Sequence, residues 1–232
     1  MREDVTPSTP SSFSLFSLLS SLSTSPNHRM KYVMEHMEEE LFEWSALEYS
    51  HFVHQVGADK ALITNLDVGK LSPREQGILS RVPHPIPSHV ILKESVRDLG
   101  FIRENPARVC LLDEKGHEVL SPTDADLFDY VVFGGILGDD PPKDDSKVLR
   151  DLEFTCRNLE AEQMTMDTAA IVSYRILEGK TPISSLSFIS RPDFNISKNE
   201  SVNIPFRYLA SDHDPAKPLV APGIVKIAAE WF

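Results

Sequence analysis

Two stretches of the sequence combine residue types suited to holding a small ligand. VVFGGILGDDPP, residues 131–142, ends an apolar run in Gly134, Gly135 and Gly138, then sets Asp139 and Asp140 before two prolines. Glycines beyond the carboxyl end of a strand let backbone N–H and C=O groups reach a ligand with no side chain between them. The pattern matches neither the dinucleotide fingerprint nor the phosphate loop. No Gly-Lys-Ser/Thr follows, and two carboxylates would repel phosphates. A nucleoside without phosphates fits better, with a tight structural corner as the competing reading. EAEQMTMDTA, residues 160–169, brings Gln163, Thr165 and Thr168 to the start of a predicted helix, where free backbone donors are exposed. There the competing reading is a helix cap. Further carboxylates gather at Glu35 and at Glu38, Glu39 and Glu40. No set of residues has a convincing metal-ligand spacing: His51 and His54 read as surface or internally satisfied histidines. Cys110 and Cys156 each lie in a short apolar run and read as small buried hydrophobes.

The elements that must position these residues follow from periodicity. KYVMEH (31–36) is a β-rich run, with Glu35 at its carboxyl end and Glu38 to Glu40 suited to a first helical turn. LFEWSALEYSHFVHQV (41–56) carries Leu41, Trp44, Leu47 or Glu48, Phe52 and Val56 at spacings of three or four, and Gly57 supplies a stop. Strands are expected over 61–66, 89–93, 108–113, 129–137 and 152–159. A Pro-punctuated connection with a short helix is expected over 71–88, and another short helix through Leu99. Residues 163–177 read as a helix that Thr165 or Asp167 opens and Gly179 closes. Short apolar strands alternating with helices predict an α/β fold with a mainly parallel sheet and flanking helices. Residues 183–209 read as added strands or a C-terminal flap.

At 232 residues the chain suits one domain. Its formal net charge of −12 disfavours nucleic acid as a direct partner, because phosphate binding draws on Lys and Arg. The same field attracts a cationic protein. Acidity that merely maintains solubility is the plainer reading of charge alone.

MKYVMEHMEEE, RVCLLD, FDYVVFGGILGDDPP, QMTMDTA and NIPFRYL occur in this order between residue 30 and about residue 209. In these motifs the chain resembles the SPOUT-class S-adenosylmethionine-dependent methyltransferases, in particular the fungal branch that methylates an arginine of a ribosomal protein. The resemblance implies a C-terminal trefoil knot, with S-adenosylmethionine bound in a bent shape between knot loops. By position, Phe133, Gly134, Gly135, Leu137, Gly138, Asn158, Leu159, Gln163, Met164, Thr165 and Thr168 would contact the cofactor, Leu137 and Met164 flanking the adenine. The family pattern has a glycine where this chain has Glu160. A guanidinium is always protonated in water, so its methylation calls for carboxylates that orient it and accept a proton. Glu35 and Asp139 are the catalytic candidates, with Glu38 and Asp140 in reserve. The implied partner is a basic ribosomal protein, and the implied setting is cytoplasmic without metal or membrane, a monomer being favoured over a homodimer. An RNA methyltransferase and an inactive cofactor-binding relative are the alternatives.

Residues 1–29 are dominated by Ser, Thr and Pro around one apolar cluster, Phe13 to Leu22. They read as a disordered tail, with organellar targeting as the alternative, and residues 30–232 as the methyltransferase domain. Deleting residues 1–29 is expected to leave the melting temperature and cofactor affinity nearly unchanged. A fall of more than a few degrees in a thermal melt would show that the tail packs on the domain.

Overall fold

The structure is a computed structural model that describes residues 30–134 and 147–231. The tail, the turn residues Gly135 to Asp140 and the knot threading that the resemblance implies for that turn lie outside the described residues. Five short strands form a parallel sheet: β1 (Lys31–Glu35), β2 (Ala61–Thr64), β3 (Val109–Leu112), β4 (Tyr130–Gly134) and β5 (Thr155–Arg157), in the order β2-β1-β4-β3-β5. The apolar runs are continuous because both faces are covered. Tyr32, Met34, Cys110, Val131 and Phe133 enter one core, while Val33, Val109, Leu111 and Val132 enter another on the opposite face. The alternation has the period of two that a strand imposes. Each such valine or leucine contributes roughly 1.5–3 kcal/mol when fully buried.

The first core is closed by α1 (Glu43–Val56) and α5 (Met166–Leu177), which pack side by side against the sheet. Gly57 ends α1 with φ +95°, a conformation glycine adopts without steric cost. The short helices α2 (Pro73–Ser80), α3 (Gly100–Arg103) and α4 (Lys147–Arg150) occupy connections. α2 opens with a capping box between Ser72 and Glu75 and has proline in its first turn. After α5 the chain forms two antiparallel pairs: β6 (Phe188–Ser190) with β9 (Arg207–Leu209), and β7 (Asp193–Asn195) with β8 (Ser201–Asn203). The helix α6 (Ile224–Trp231) follows. A third core, formed by Trp44, Leu47, Val202, Ile204, Phe206 and Ile227 among others, joins this C-terminal arm to α1.

The mainly parallel sheet and the C-terminal strands agree with expectation. Residues 89–93 do not form a strand. After Pro85 and Pro87 the chain makes a 3-10 turn, Ser88–Val90, then a single bridge of Ile91 to Ile63, with backbone bonds from Leu92 to Ile63 and from Asn65 and Leu66 back to Glu94 and Leu92 in place of a regular ladder. β5 is shorter than residues 152–159, because Asp151 to Glu153 complete a turn. Glu38 to Glu40 precede α1 rather than opening it. Glu38 instead accepts a hydrogen bond from the Ser45 hydroxyl at 2.9 Å. The short helix near Leu99 begins after that residue, at Gly100. The helix α6 was not expected from the sequence.

Candidate active site

Parallel pairing brings the carboxyl ends of β1, β4, β3 and β5 to one edge of the sheet. Glu35 lies in register with Gly134, and Leu112 pairs with both Phe133 and Arg157. Gly134 is closely approached by side chains. A Cβ there would meet the end of the Leu149 side chain and lie 3.0 Å from Met37 Sδ, so both would have to move. Phe133 is buried in the core beneath it. Gly135, Leu137, Gly138, Asp139 and Asp140 lie outside the described residues.

Glu35 is 2% exposed and its carboxylate is already engaged. It accepts from the Thr64 hydroxyl at 2.5 Å, from the Ser95 hydroxyl and from the Val96 backbone N–H at 3.0 Å. These bonds tie the end of β1 to β2 and to the connection before α3. Glu38, on the following turn, is almost as enclosed and lies 3.7 Å from His36 Nδ1. His36 lies 2.8 Å from the Tyr49 hydroxyl. Burial lowers the pKa of His36, with Glu75 acting in the opposite sense.

The second loop joins β5 to α5. Asn158 is pinned by its backbone N–H to Glu118 O at 2.9 Å and by its amide to Gly116 O at 2.8 Å, and Leu159 is buried in the core. Gln163 is exposed, Met164 is half-buried against the core, and Thr165 and Thr168 are buried. Thr165 takes the N-cap position without a side-chain cap bond. Its hydroxyl instead lies 2.6 Å from Asp167 Oδ1 and 2.7 Å from Thr168 Oγ1. The two threonines therefore bond each other and Asp167, which uses their hydroxyl protons within the protein. Asp167 also meets His51 Nδ1 at 2.6 Å, which makes His51 an internally satisfied histidine.

Sequence reasoning missed a third set of groups beside this helix start. Glu48 of α1 is 1% exposed, accepts from the Trp44 indole at 2.8 Å, and lies beside the Met166 backbone N–H at the start of α5. The buried Tyr208 hydroxyl of β9 has no hydrogen-bond partner among the described residues. Burial, and next the neighbouring Asp167, push the Glu48 carboxyl well above its ordinary range, against the pull of the Trp44 indole. Burial raises Tyr208 too, with Asp167 and Glu48 adding to the rise. The available signal was a carboxylate on the apolar stripe of α1.

These residues suit an uncharged nucleoside better than a phosphate. Arg150, Arg157 and Arg207, near the strand ends, are each paired with carboxylates: Asp113, Asp124 and Glu160. The uncapped start of α5 offers backbone donors, and Met164 offers an apolar surface. Among the described residues no group of three or more His, Cys, Asp or Glu could hold a metal ion. Cys110 and Cys156 are free, and burial raises both thiols, in keeping with a packing role. A separate cavity of about 440 Å³ opens at the β2 edge between Leu66 and Glu94 and shares no residue with these segments.

The raised Glu48 carboxyl predicts a pH dependence of stability. In the unfolded chain this group ionises near 4.5, while the folded protein retains its proton to higher pH. Stability is therefore lost as pH rises from 4.5 towards the raised value, because the unfolded state has already released the proton. Glu48→Gln removes that dependence. Thermal melts should show the variant gaining on the parent protein by a few degrees between pH 4.5 and 7, and a constant difference would contradict the assignment.

The comparisons extend over almost the whole chain. The family described as "Protein arginine N-methyltransferase SFM1-like" matches residues 31–230. The protein arginine N-methyltransferase SFM1 of Saccharomyces cerevisiae is 36% identical over 209 residues, covering 85% of this chain and 93% of the relative. The crystal structure of yeast arginine methyltransferase SFM1 with SAM aligns with a TM-score of 0.73 at 31% identity, over 94% of this chain and 96% of that one. The complex with SAH gives 0.71 at 33% identity, over 85% and 94%. With the motifs spread along the sheet and its strand ends, these matches place the chain in the SFM1-like family of protein arginine N-methyltransferases.

Proposed function

We propose that the protein transfers a methyl group from S-adenosylmethionine to an arginine of a basic ribosomal protein. The observation that carries this reading is the agreement with an arginine methyltransferase along nearly that protein's entire length. The net charge of −12 supports a cationic protein partner over RNA. Among the described residues no helix is long and apolar enough to cross a membrane. We place the enzyme in the cytoplasm as a monomer.

In this reading the backbone at Gly134, Gly135 and Gly138 faces the nucleoside. Leu137 and Met164 flank the adenine, Phe133 and Leu159 support the two loops from the core, and Asn158, Gln163, Thr165 and Thr168 shape the opposite wall. The cofactor supplies a methyl group already activated by a sulfonium. The chain's part is to hold a guanidinium nitrogen in line with that methyl carbon and to accept its proton. As the new N–C bond forms, the S–C electron pair leaves with sulfur, and the proton lost by the nitrogen passes to a carboxylate. Asp139, directly after the glycine turn, takes that role, with Glu38 and Asp140 as alternates. Glu35 adds negative field beside Gly134 but works mainly as an anchor, since three donors converge on its carboxylate.

The test is methyl transfer from labelled S-adenosylmethionine to ribosomal proteins and to RNA in parallel. Label in an arginine of the protein fraction is expected, and label confined to RNA would overturn the reading. Asp139→Asn should lower turnover by about 10² to 10⁴-fold, the usual range for loss of a general base, with melting temperature and cofactor affinity retained. Glu35→Gln should lose stability and activity together, because its new amide faces donors. Full activity in Asp139→Asn would move the proton acceptor to Glu38 or Asp140.

A further inference from the structure

The loop between β5 and α5 is fixed at both ends through its backbone and is strained between them. At one end Asn158 is held to Gly116 and Glu118, and its carbonyl accepts from Leu120 N–H at 2.9 Å. At the other end Gln163 O accepts from the Arg207 backbone N–H at 2.8 Å, and Met164 bridges to Arg207. Between these anchors Glu160 stands at φ +70°, in the left-handed region that disfavours any residue with a Cβ. Its backbone N–H donates to Asn158 Oδ1 at 2.9 Å, and its carboxylate meets the Arg207 guanidinium at 2.7 Å. Arg207 Nε lies 3.4 Å from Glu162 Oε2, which also accepts from the Ser190 hydroxyl at 2.8 Å. The guanidinium is centred 3.7 Å over the Phe188 ring.

Most surface ion pairs contribute little, since water screens the charges and two long side chains must be ordered. Here the arginine side chain is 15% exposed and stacked on an aromatic face; it bonds the Glu160 carboxylate, while Glu162 stands 3.4 Å from an Nε that makes no hydrogen bond among the described residues. An ammonium cannot reproduce a planar fork held in that way. We propose that Arg207 is a positioning residue for cofactor binding: through Glu160 it holds the loop in the left-handed turn that sets Gln163 and Met164 at the cofactor wall. This rests on the reading that residues 158–168 contact S-adenosylmethionine. It also gives Glu160 a part that a glycine would not need, because glycine adopts the same turn without a tie.

Calorimetric titration with S-adenosylmethionine tests the proposal on the full chain carrying Arg207→Met, Arg207→Lys, Glu160→Gly, the Glu160→Gly/Arg207→Met pair, and Met164→Ala as a control for the loop. Both Arg207 variants should raise Kd about tenfold while kcat at saturating cofactor stays within about twofold, the pattern of lost ground-state binding. In the Glu160→Gly background, Arg207→Met should cost less than about threefold, a coupling expected of residues in direct contact. Equal losses in the two backgrounds would overturn the proposal, since the tie would not then act through Glu160. A fall in kcat with unchanged KM for the cofactor would also overturn it. Unchanged affinity in the Arg207 variants, with affinity lost in Met164→Ala, would overturn it and leave the cofactor reading standing. Unchanged affinity in Met164→Ala as well would sink the cofactor reading, and this proposal with it.

Discussion

A parallel sheet covered on both faces leaves only the ends of its strands for chemistry, and the rest of this molecule is arranged around that constraint. Tyr32, Met34, Val131 and Phe133 are committed to one core, and Val33, Leu111 and Val132 to the other. Polar groups therefore appear where the strands stop, at Glu35, Gly134, Asp113 and Asn158. Both candidate loops leave from that edge, next to contacts at the strand ends. Gly134 is pressed against Leu149 and Met37, and Asn158 is bonded to Gly116.

The buried charges beside α5 belong to the same arrangement. Glu48 and Asp167 are enclosed a short way from each other, where two full negative charges would be costly. The fold answers with His51 on Asp167, the Trp44 indole on one oxygen of Glu48, and a raised Glu48 carboxyl. These contacts lock α1 to the opening turn of α5, the element that follows the cofactor loop in the proposed reading. The C-terminal arm completes the frame through Tyr208 and Arg207 of a single strand.

Much of the fold was legible because its signals are local. Continuous apolar runs gave four of the five parallel strands close to their observed places, β5 being shorter than expected, and Gly57 and Gly179 marked helix ends. The stretch 89–93 misled because HVILK has β-forming composition, yet after Pro85 and Pro87 it makes a 3-10 turn and then one bridge to β2 rather than a regular ladder. The candidate site was legible in part. Motif order pointed to the two loops, but residue type alone could not show that Glu35 is surrounded by donors or that Thr165 and Thr168 face each other. Those facts depend on contacts between residues far apart in sequence, such as Glu35 with Ser95 and His51 with Asp167. The partners of Glu160 and Arg207 were hidden for the same reason, since 47 residues separate them.

The central claim is that a nucleoside cofactor binds at the carboxyl edge of the sheet, between the glycine turn and the β5–α5 loop. Hydrogen–deuterium exchange with and without S-adenosylhomocysteine tests it most directly. Protection of residues 133–140 and 158–168, and of β9 through Arg207, is the predicted result. Protection centred on the cavity between Leu66 and Glu94, with the two loops unchanged, would contradict it.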